Sequence, residues 1–297
     1  MSLFVVFNPH SGKGRGAQLV GPVLDALSRS GPVEHALTTQ PGDEERLAAD
    51  AAERGVETVV AVGGDGTWSN AANGILKSGR PTRLGLIPGG TGCDLAKSLG
   101  IPRDPRGAAA VVSSGRTRRI DAGRIEGRYF LNIVGFGYDV AVLEDSWTVT
   151  WLQGEPLYLY CALRQLRSFP GFSIETAADG GPLERRDLLM LIVANARVFG
   201  GGFKIAPQAE LGDGRLDVMA FRNMGLFDRL GIMARLLRGT HAASPNVAAS
   251  TVSTLTLRFA GPPTYETDGE WNRAKTAEVR IEVVPQALEV LAPGSGS

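Results

Sequence analysis

Cysteine and histidine are scarce in this chain of 297 residues, with two of the first and three of the second. Cys93 and Cys161 form no CxxC pair, which excludes a disulfide framework and a structural zinc cluster. An excess of one charge is also missing, since Lys plus Arg and Asp plus Glu number 31 each. Nucleic acid is drawn by a strongly basic surface, so it is not an expected partner. No apolar run approaches the ~20 residues that a membrane-spanning helix needs. The longest, Leu188 to Ala194, has strand length. The opening LFVVFNPH is too short and too poor in early basic charge for a signal peptide. The cytoplasm is the expected location, with any membrane contact peripheral, at the inner face of the cell membrane.

Glycine, by contrast, is abundant. Its 39 occurrences are roughly twice the usual share, and many close apolar runs. Leu3 to Phe7, Val33 to Thr39, Glu57 to Val62 and Leu84 to Ile87 read as strands, with helices expected over 15 to 29, Glu44 to Arg54, Trp68 to Lys77 and Asp94 to Leu99. Strand, glycine turn and helix in repetition predict an α/β domain, a parallel sheet with helices on both faces. Ligands bind at the carboxyl ends of such strands, where these glycines fall.

Beyond about Arg119 the pattern changes. Tyr129 to Val134, Ser173 to Thr176, Leu188 to Ala194, Leu216 to Phe221, Thr251 to Phe259 and Val279 to Val284 read as strands, with only two helices, near Leu157 to Leu166 and Leu226 to Leu237. This predicts a β-sandwich-like second domain. The expected division is 1–119 for a nucleotide-binding domain and 120–284 for a β-rich substrate domain, with about 285–297 packing back on the first.

Three loops carry candidate chemistry. Gly63-Gly64-Asp65-Gly66-Thr67 follows a strand, and its glycines would let phosphate oxygens reach backbone N–H groups. Asp65 reads as a Mg²⁺ ligand or a base, or else as a cap on the following helix. Pro88-Gly89-Gly90-Thr91-Gly92-Cys93-Asp94 repeats the arrangement one strand later, adding the Thr91 hydroxyl, the Asp94 carboxylate and, one turn on, Lys97. An N-capping Asp with a surface Lys is the plainer alternative there. Asn8-Pro9-His10-Ser11-Gly12-Lys13-Gly14 comes close to the GxxxxGK[ST] phosphate loop, but Gly14 stands where a hydroxyl is required.

In order and spacing these motifs resemble the diacylglycerol kinase catalytic-domain family, closest to its soluble bacterial lipid kinases. The likeness continues through Asp121-Ala122-Gly123, Gly135 to Asp139, Gly201-Gly202-Phe203, Ala206-Pro207, Asp213-Gly214 and Asp268-Gly269-Glu270. It departs at Cys93, where the family pattern usually has Asn. The resemblance implies a phosphofructokinase- and NAD-kinase-like first domain. It implies an ATP- and Mg²⁺-dependent kinase for a lipid hydroxyl, with diacylglycerol the first choice. Its nucleotide and metal site would comprise Asn8, Ser11, Gly12, Lys13, Thr39, Gly63, Gly64, Asp65, Gly66, Thr67, Gly89, Gly90, Thr91, Asp94 and Lys97. Asp121 would extend a carboxylate network around it, and Glu270 would be the general base. Asp213, the Arg215 carbonyl and Glu210 resemble a separate structural Mg²⁺ site, against which a plain Asp-Gly turn stands open. The implied partner is a lipid substrate at a membrane surface, and a homodimer is left open.

Cys93 has no histidine partner nearby in sequence and reads as a small variant side chain, not a nucleophile. Leu226, Leu230, Met233 and Leu237 lie at helical spacing with Arg229, Arg235 and Arg238 elsewhere. Such a stripe suits a membrane surface but is expected to face the core. Trp147, Trp151, Phe199 and Phe203 are candidates for a lipid groove or for ordinary packing. Two other readings compete with the lipid kinase: another GGDG-type kinase, such as an NAD kinase or a phosphofructokinase, and a relative that binds nucleotide or lipid without turnover. The PGGTGCD loop and the late DGE weigh against the first, and intact Asp65, Asp94 and Glu270 against the second.

Overall fold

A computed structural model describes residues 2–152 and 155–294. The chain divides into two compact units, Met1–Ala122 with Gln286–Ser297, and Gly123–Pro285. The divide expected at 119/120 thus falls inside a strand, at Ala122/Gly123.

The first unit runs β1 (Leu3–Phe7), α1 (Ser11–Leu27), β2 (Val33–Leu37), α2 (Asp43–Glu53), β3 (Thr58–Gly63), α3 (Asp65–Ser78), β4 (Arg83–Pro88), α4 (Asp94–Leu99), α5 (Pro105–Ser114) and the first part of β5 (Thr117–Ile125). β1 pairs in parallel with β2 and β3, and β3 with β4. Buried along their whole length, β1 and β3 are continuous apolar runs, as strands covered on both faces must be. Trp68 anchors α3 on this sheet: its ring is wholly buried and its Nε1–H donates to the Ala61 carbonyl at 3.1 Å. The sequence reading missed α5, which Asp104 caps by accepting from the Gly107 N–H at 2.7 Å.

The second unit holds the end of β5, then β6 (Arg128–Phe130), β7 (Ile133–Gly137), α6 (Tyr138–Ser146), α7 (Glu155–Ser168), β8 (Phe172–Ala178), β9 (Glu184–Ala194), β10 (Leu216–Arg222), α8 (Leu226–Arg238), β11 (Val247–Val252), β12 (Thr254–Arg258), β13 (Thr264–Thr267), β14 (Glu270–Arg273) and most of β15 (Glu278–Leu291). β9 is its organising strand. It pairs antiparallel with β8 and β7 through its two halves and with β10 on the other edge. Phe130, Val134, Phe136, Leu191, Val193, Leu216, Leu257 and Ile281 form a core cluster of this β-sandwich-like unit. A second cluster packs α8 residues Ile232 and Leu236 against Ile192 and Phe221.

Four expectations need correction. The strand expected over Tyr129 to Val134 is two, broken because the buried Asp268 carboxylate accepts the Leu131, Asn132 and Ile133 N–H groups at 2.8, 2.8 and 3.0 Å. The strand expected over Thr251 to Phe259 is also two, with Asp179 accepting from Ser253 N–H at 2.7 Å and Thr254 N–H at 2.9 Å. A third helix, α6, accompanies the two expected. Finally, the stripe Leu226, Leu230, Met233 and Leu237 faces the core only at Met233, which packs partly buried against the second cluster. Arg229, Ile232 and Leu236 are buried instead, while Leu226, Leu230 and Leu237 are exposed.

Candidate functional site

Because β1, β3 and β4 are neighbours in one parallel sheet, the loops that leave their carboxyl ends meet along one edge of the first unit. Asn8, just past β1, ties them together. Its side-chain amide donates to Thr67 Oγ1 at 3.1 Å and to Glu44 Oε1 at 3.0 Å, joining the β1 loop to α3 and α2. Ser11 turns back on the same loop, its hydroxyl donating to the Asn8 carbonyl at 2.9 Å. Gly12, Lys13 and Gly14 are then all left-handed, with φ of 56°, 64° and 86°. The regular turns of α1 begin only after them.

Their glycines serve close packing of loop on loop. A Cβ on Gly12 would lie 2.2 Å from the Gly89 carbonyl oxygen, and one on Gly90 2.6 Å from the Gly64 Cα. The Gly89 and Gly90 N–H groups both donate to the Gly63 carbonyl, at 2.7 and 3.0 Å. Thr67 fills the space a Gly63 side chain would need.

Asp65 caps a helix, but not the one it begins. Its two carboxylate oxygens accept from the Asp94 and Leu95 N–H groups at 3.0 Å each, across the first turn of α4. A carboxylate there satisfies orphan donors and complements the helix dipole. Asp94 is itself buried and paired with Lys97 Nζ at 2.8 Å. One oxygen of each acid flanks Gly92, at 3.2 Å (Asp65) and 3.7 Å (Asp94) from where its Cβ would be. Thr91 is exposed, and Arg103 donates to its carbonyl at 2.7 Å. The edge thus combines two adjacent carboxylates, the cations Lys13 and Lys97, and closely apposed backbone. Oxygen donors and cations of this kind fit a Mg²⁺–nucleotide.

Cys93 sits in this edge with φ of 55°, a left-handed conformation that suits Asn or Gly better than Cys. Its thiol is buried against the Gly90 and Gly63 carbonyls. Burial first, then the Asp65 charge, pushes it up to about 11, so it is protonated and poorly nucleophilic at neutral pH.

Two other sequence candidates in this unit do structural work. Thr39 donates its N–H and its hydroxyl to Asp43 Oδ2 at 2.8 and 2.9 Å. With Arg46 alongside, these bonds hold the Asp43 carboxyl far below the usual carboxylate range. Asp121, fully buried on β5, accepts the Gln286 N–H at 2.7 Å.

Glu270 belongs to the second unit. It opens β14 opposite Thr267, in a hairpin that turns at Asp268 and Gly269, both with positive φ. Its side chain is partly exposed and lies 3.5 Å from Arg128 Nη2. The neighbouring Trp271 stacks edge-on against Trp147 at 6.0 Å and donates to Glu144 Oε1 at 2.8 Å. Trp147 and Trp151 are largely exposed, and Trp151 meets Tyr160 at 5.3 Å. Phe199 and Phe203 instead pack partly buried against the second core cluster.

Sequence reasoning missed an acid pair in this unit. Glu266, on β13, is buried, the carboxylate oxygens of Asp139, in the first turn of α6, are sealed from solvent, and neither Asp139 oxygen nor Glu266 Oε1 has a hydrogen-bond partner among the described residues. Burial pushes Asp139 up to about 7; burial and then the Asp139 charge raise Glu266 well above the usual carboxylate range. Two ionised carboxylates have no donor between them, so one retained proton completes the pair. The Gly-Tyr-Asp motif was visible in the sequence, but its partner 127 positions on was not.

At the second proposed metal position, Asp213 accepts the Arg215 N–H at 2.9 Å, the plain Asp-Gly turn. Asp217, also missed, is pushed up to about 6 by burial and then by the Asp213 and Glu210 charges. These oxygen donors suit Mg²⁺ chemically, but no three acidic, His or Cys side chains converge on one point among the described residues.

Residues 2–125 match the model of the diacylglycerol kinase catalytic domain, and residues 132–292 that of the YegS C-terminal NAD kinase beta sandwich-like domain. A diacylglycerol kinase from Mycobacterium tuberculosis is 30% identical over 296 residues, spanning 97% of this chain and 94% of its own. One from Bacillus subtilis is 32% identical, over 90% and 89%. The crystal structure of a diacylglycerol kinase from Bacillus anthracis superposes with TM-score 0.79 at 18% identity, covering 99% and 97%. An NAD kinase from Archaeoglobus fulgidus, solved with ATP, superposes with TM-score 0.54 at 16% identity, covering 99% and 94%.

Proposed function

The chain belongs to the diacylglycerol kinase family, and from that premise we propose that it transfers the terminal phosphoryl group of ATP to a lipid hydroxyl, diacylglycerol first. The observation that carries this reading is the loop edge of the first unit, where Asp65 and Asp94 flank Gly92. Phosphoryl transfer asks for positioning and charge neutralisation more than covalent chemistry. Asp65 and Asp94 would hold Mg²⁺, which offsets phosphate charge when bound. Lys13 and Lys97 add fixed positive charge, and the apposed glycine backbones fix the loops.

Glu270 is the proposed acceptor of the substrate hydroxyl's proton. Its partly exposed carboxylate is open to an incoming hydroxyl, and Arg128 orients it. The exposed aromatic pair Trp147–Trp271 beside it supports an apolar substrate over a dinucleotide.

The test is incubation with labelled ATP, Mg²⁺ and a mixed lipid extract, run in parallel with NAD as acceptor. A labelled lipid is expected. Labelled NADP without labelled lipid would overturn the lipid reading. Glu270→Gln should keep nucleotide affinity while kcat falls by roughly 10²–10⁴-fold, the range of acid–base catalysis. Unchanged kcat would place the base elsewhere.

A further inference from the structure

The strand that carries Glu270 gets little of its placement from the sheet. β14 is four residues long, with β13 as its one partner strand among the described residues. β13 in turn meets β7 through Glu266 opposite Gly135 and Thr267 opposite Val134. Asp268 secures the hairpin turn through its three backbone N–H partners. Past that turn, side chains decide where β14 lies.

Successive side chains of a strand point to opposite faces. Glu270 lies against Arg128 on one face, and on the other the hairpin runs into α6. Glu266 stands opposite Trp271 across the hairpin and meets Asp139 in the first turn of α6. Gly135 leaves the room for this, since a Cβ there would lie 1.7 Å from Asp139 Oδ2. Trp271 reaches the last turn of the same helix, where its Nε1–H donates to Glu144 Oε1 at 2.8 Å. The helix is a fixed platform. Tyr138 enters the second core cluster and its hydroxyl donates to the Ala162 carbonyl of α7 at 2.6 Å, while the buried Asp145 pairs with Arg164.

The bond from Trp271 to Glu144 adds little that the fold requires. The ring is 38% exposed, so it is no core anchor, and Asp268 already clasps the turn. What the bond fixes is the residue directly after Glu270.

We propose that Glu144 is a positioning residue for phosphoryl transfer, which holds the Trp271 indole and thereby sets Glu270 toward the acceptor hydroxyl. This rests on the proposed reaction, in which Glu270 takes the hydroxyl's proton. A base works only within hydrogen-bond reach of that proton, and a misplacement of about 1 Å can cost on the order of 100-fold in rate. With a single partner strand, β14 is free to shift by that much once the indole is released. Arg128 turns the Glu270 carboxylate, and Glu144 places the backbone that bears it.

The experiment measures turnover of labelled ATP, Mg²⁺ and a saturating mixed lipid extract by the full chain, by Glu144→Ala, Glu144→Gln and Trp271→Phe, and by Glu144→Ala with Trp271→Phe. Glu144→Ala and Trp271→Phe should each lower kcat roughly 10–100-fold. The KM for ATP should hold, because the nucleotide loops belong to the first unit. The double variant should be no slower than the slower single, since both changes remove one bond. Glu144→Gln keeps an Oε1 acceptor and should retain kcat within about threefold of the wild type. Unfolding temperatures are read alongside, with turnover measured well below them. If Glu144→Ala fails to fold, Trp271→Phe, which keeps a ring and loses the N–H, carries the test. Losses that add in the double variant would overturn the proposal, and so would a Glu144→Gln as slow as Glu144→Ala. Lowered unfolding temperatures with kcat unchanged would make the bond structural only and overturn it alone. A wild type that labels no lipid would overturn the kinase reading and this inference with it.

Discussion

Replacing Asp65 by Asn should damage stability and turnover together, and the structure separates the two losses. The carboxylate holds two N–H groups of the first turn of α4 at 3.0 Å each. Asn keeps one acceptor and turns an NH₂ toward the other donor. Leaving one buried donor unsatisfied costs about 1–3 kcal/mol. The lost charge at a helix N-terminus removes another ~0.5. Together they imply a loss of about 1.5–3.5 kcal/mol, or roughly 5–12 °C in unfolding temperature for a unit of this size. Asp94→Asn is the control. It removes the charge that pairs with Lys97 at 2.8 Å but leaves the α4 amides capped by Asp65, so the Asp94 and Leu95 amides should keep their exchange protection. Both variants should lose phosphoryl transfer if both acids hold the metal. The assay is thermal unfolding, turnover well below the unfolding range, and hydrogen exchange at the Asp94 and Leu95 amides, where protection should fall in Asp65→Asn. An Asp65→Asn variant that unfolds like the wild type would refute the clamp, and one with near-normal turnover would remove Asp65 from the chemistry.

Cys93→Asn should keep or raise stability, by up to about 1 kcal/mol, since Asn tolerates left-handed backbone better, and should keep most activity. Rapid inactivation by a thiol reagent at pH 7 would contradict the protonated, buried thiol. Gly12→Ala should destabilise by more than about 2 kcal/mol, because the added methyl meets the Gly89 carbonyl oxygen and the φ is positive; unchanged chemical unfolding would disprove the contact. Asp139 and Glu266 bind a proton more tightly folded than unfolded. Their contribution is therefore fully present below the unfolded pKa near 4 and is lost as pH rises toward about 7. The slope for one proton is ~1.4 kcal/mol per pH unit. Glu266→Gln should flatten this profile and raise the unfolding temperature at pH 8, and a wild-type stability that climbs from about pH 5 to 7 in the second unit would disprove the shared proton.

The α/β order of the first unit was legible because its buried strands are short apolar runs closed by turn residues, Asn8-Pro9 after Leu3–Phe7 and Gly63-Gly64 after Val59–Val62. The β-sandwich character of the second showed in its short runs and turns. What escaped was set by distant carboxylates. Asp268 and Asp179 take ladder N–H groups from segments 135 and 74 residues away, and no local pattern marks the break. Glu270 read as part of a polar turn because β13 and β14 are too short and mixed to alternate clearly. Asp65 posed a choice between metal ligand and cap of its own helix. The cap is real, but its helix lies 29 residues on. Of the stripe on α8 only Met233 meets the core, because spacing finds a line of apolar groups without saying which side a buried Arg229 will claim.

The strand that completes the first unit's sheet comes after the whole second unit in the chain. β4 pairs with β15 at Leu84 and Val290, and Asp121 is clasped by Gln286, so Gly123–Pro285 is an insertion within the first unit's chain. During synthesis the flank of β4 that awaits this partner stays open until β15 has left the ribosome. An open strand edge invites pairing with another chain, and closing so long an excursion costs loop entropy. The second unit, contiguous in sequence, can fold earlier and hold its two ends near each other. It thereby acts as an internal scaffold for assembly of the first, a role distinct from anything it does for the substrate.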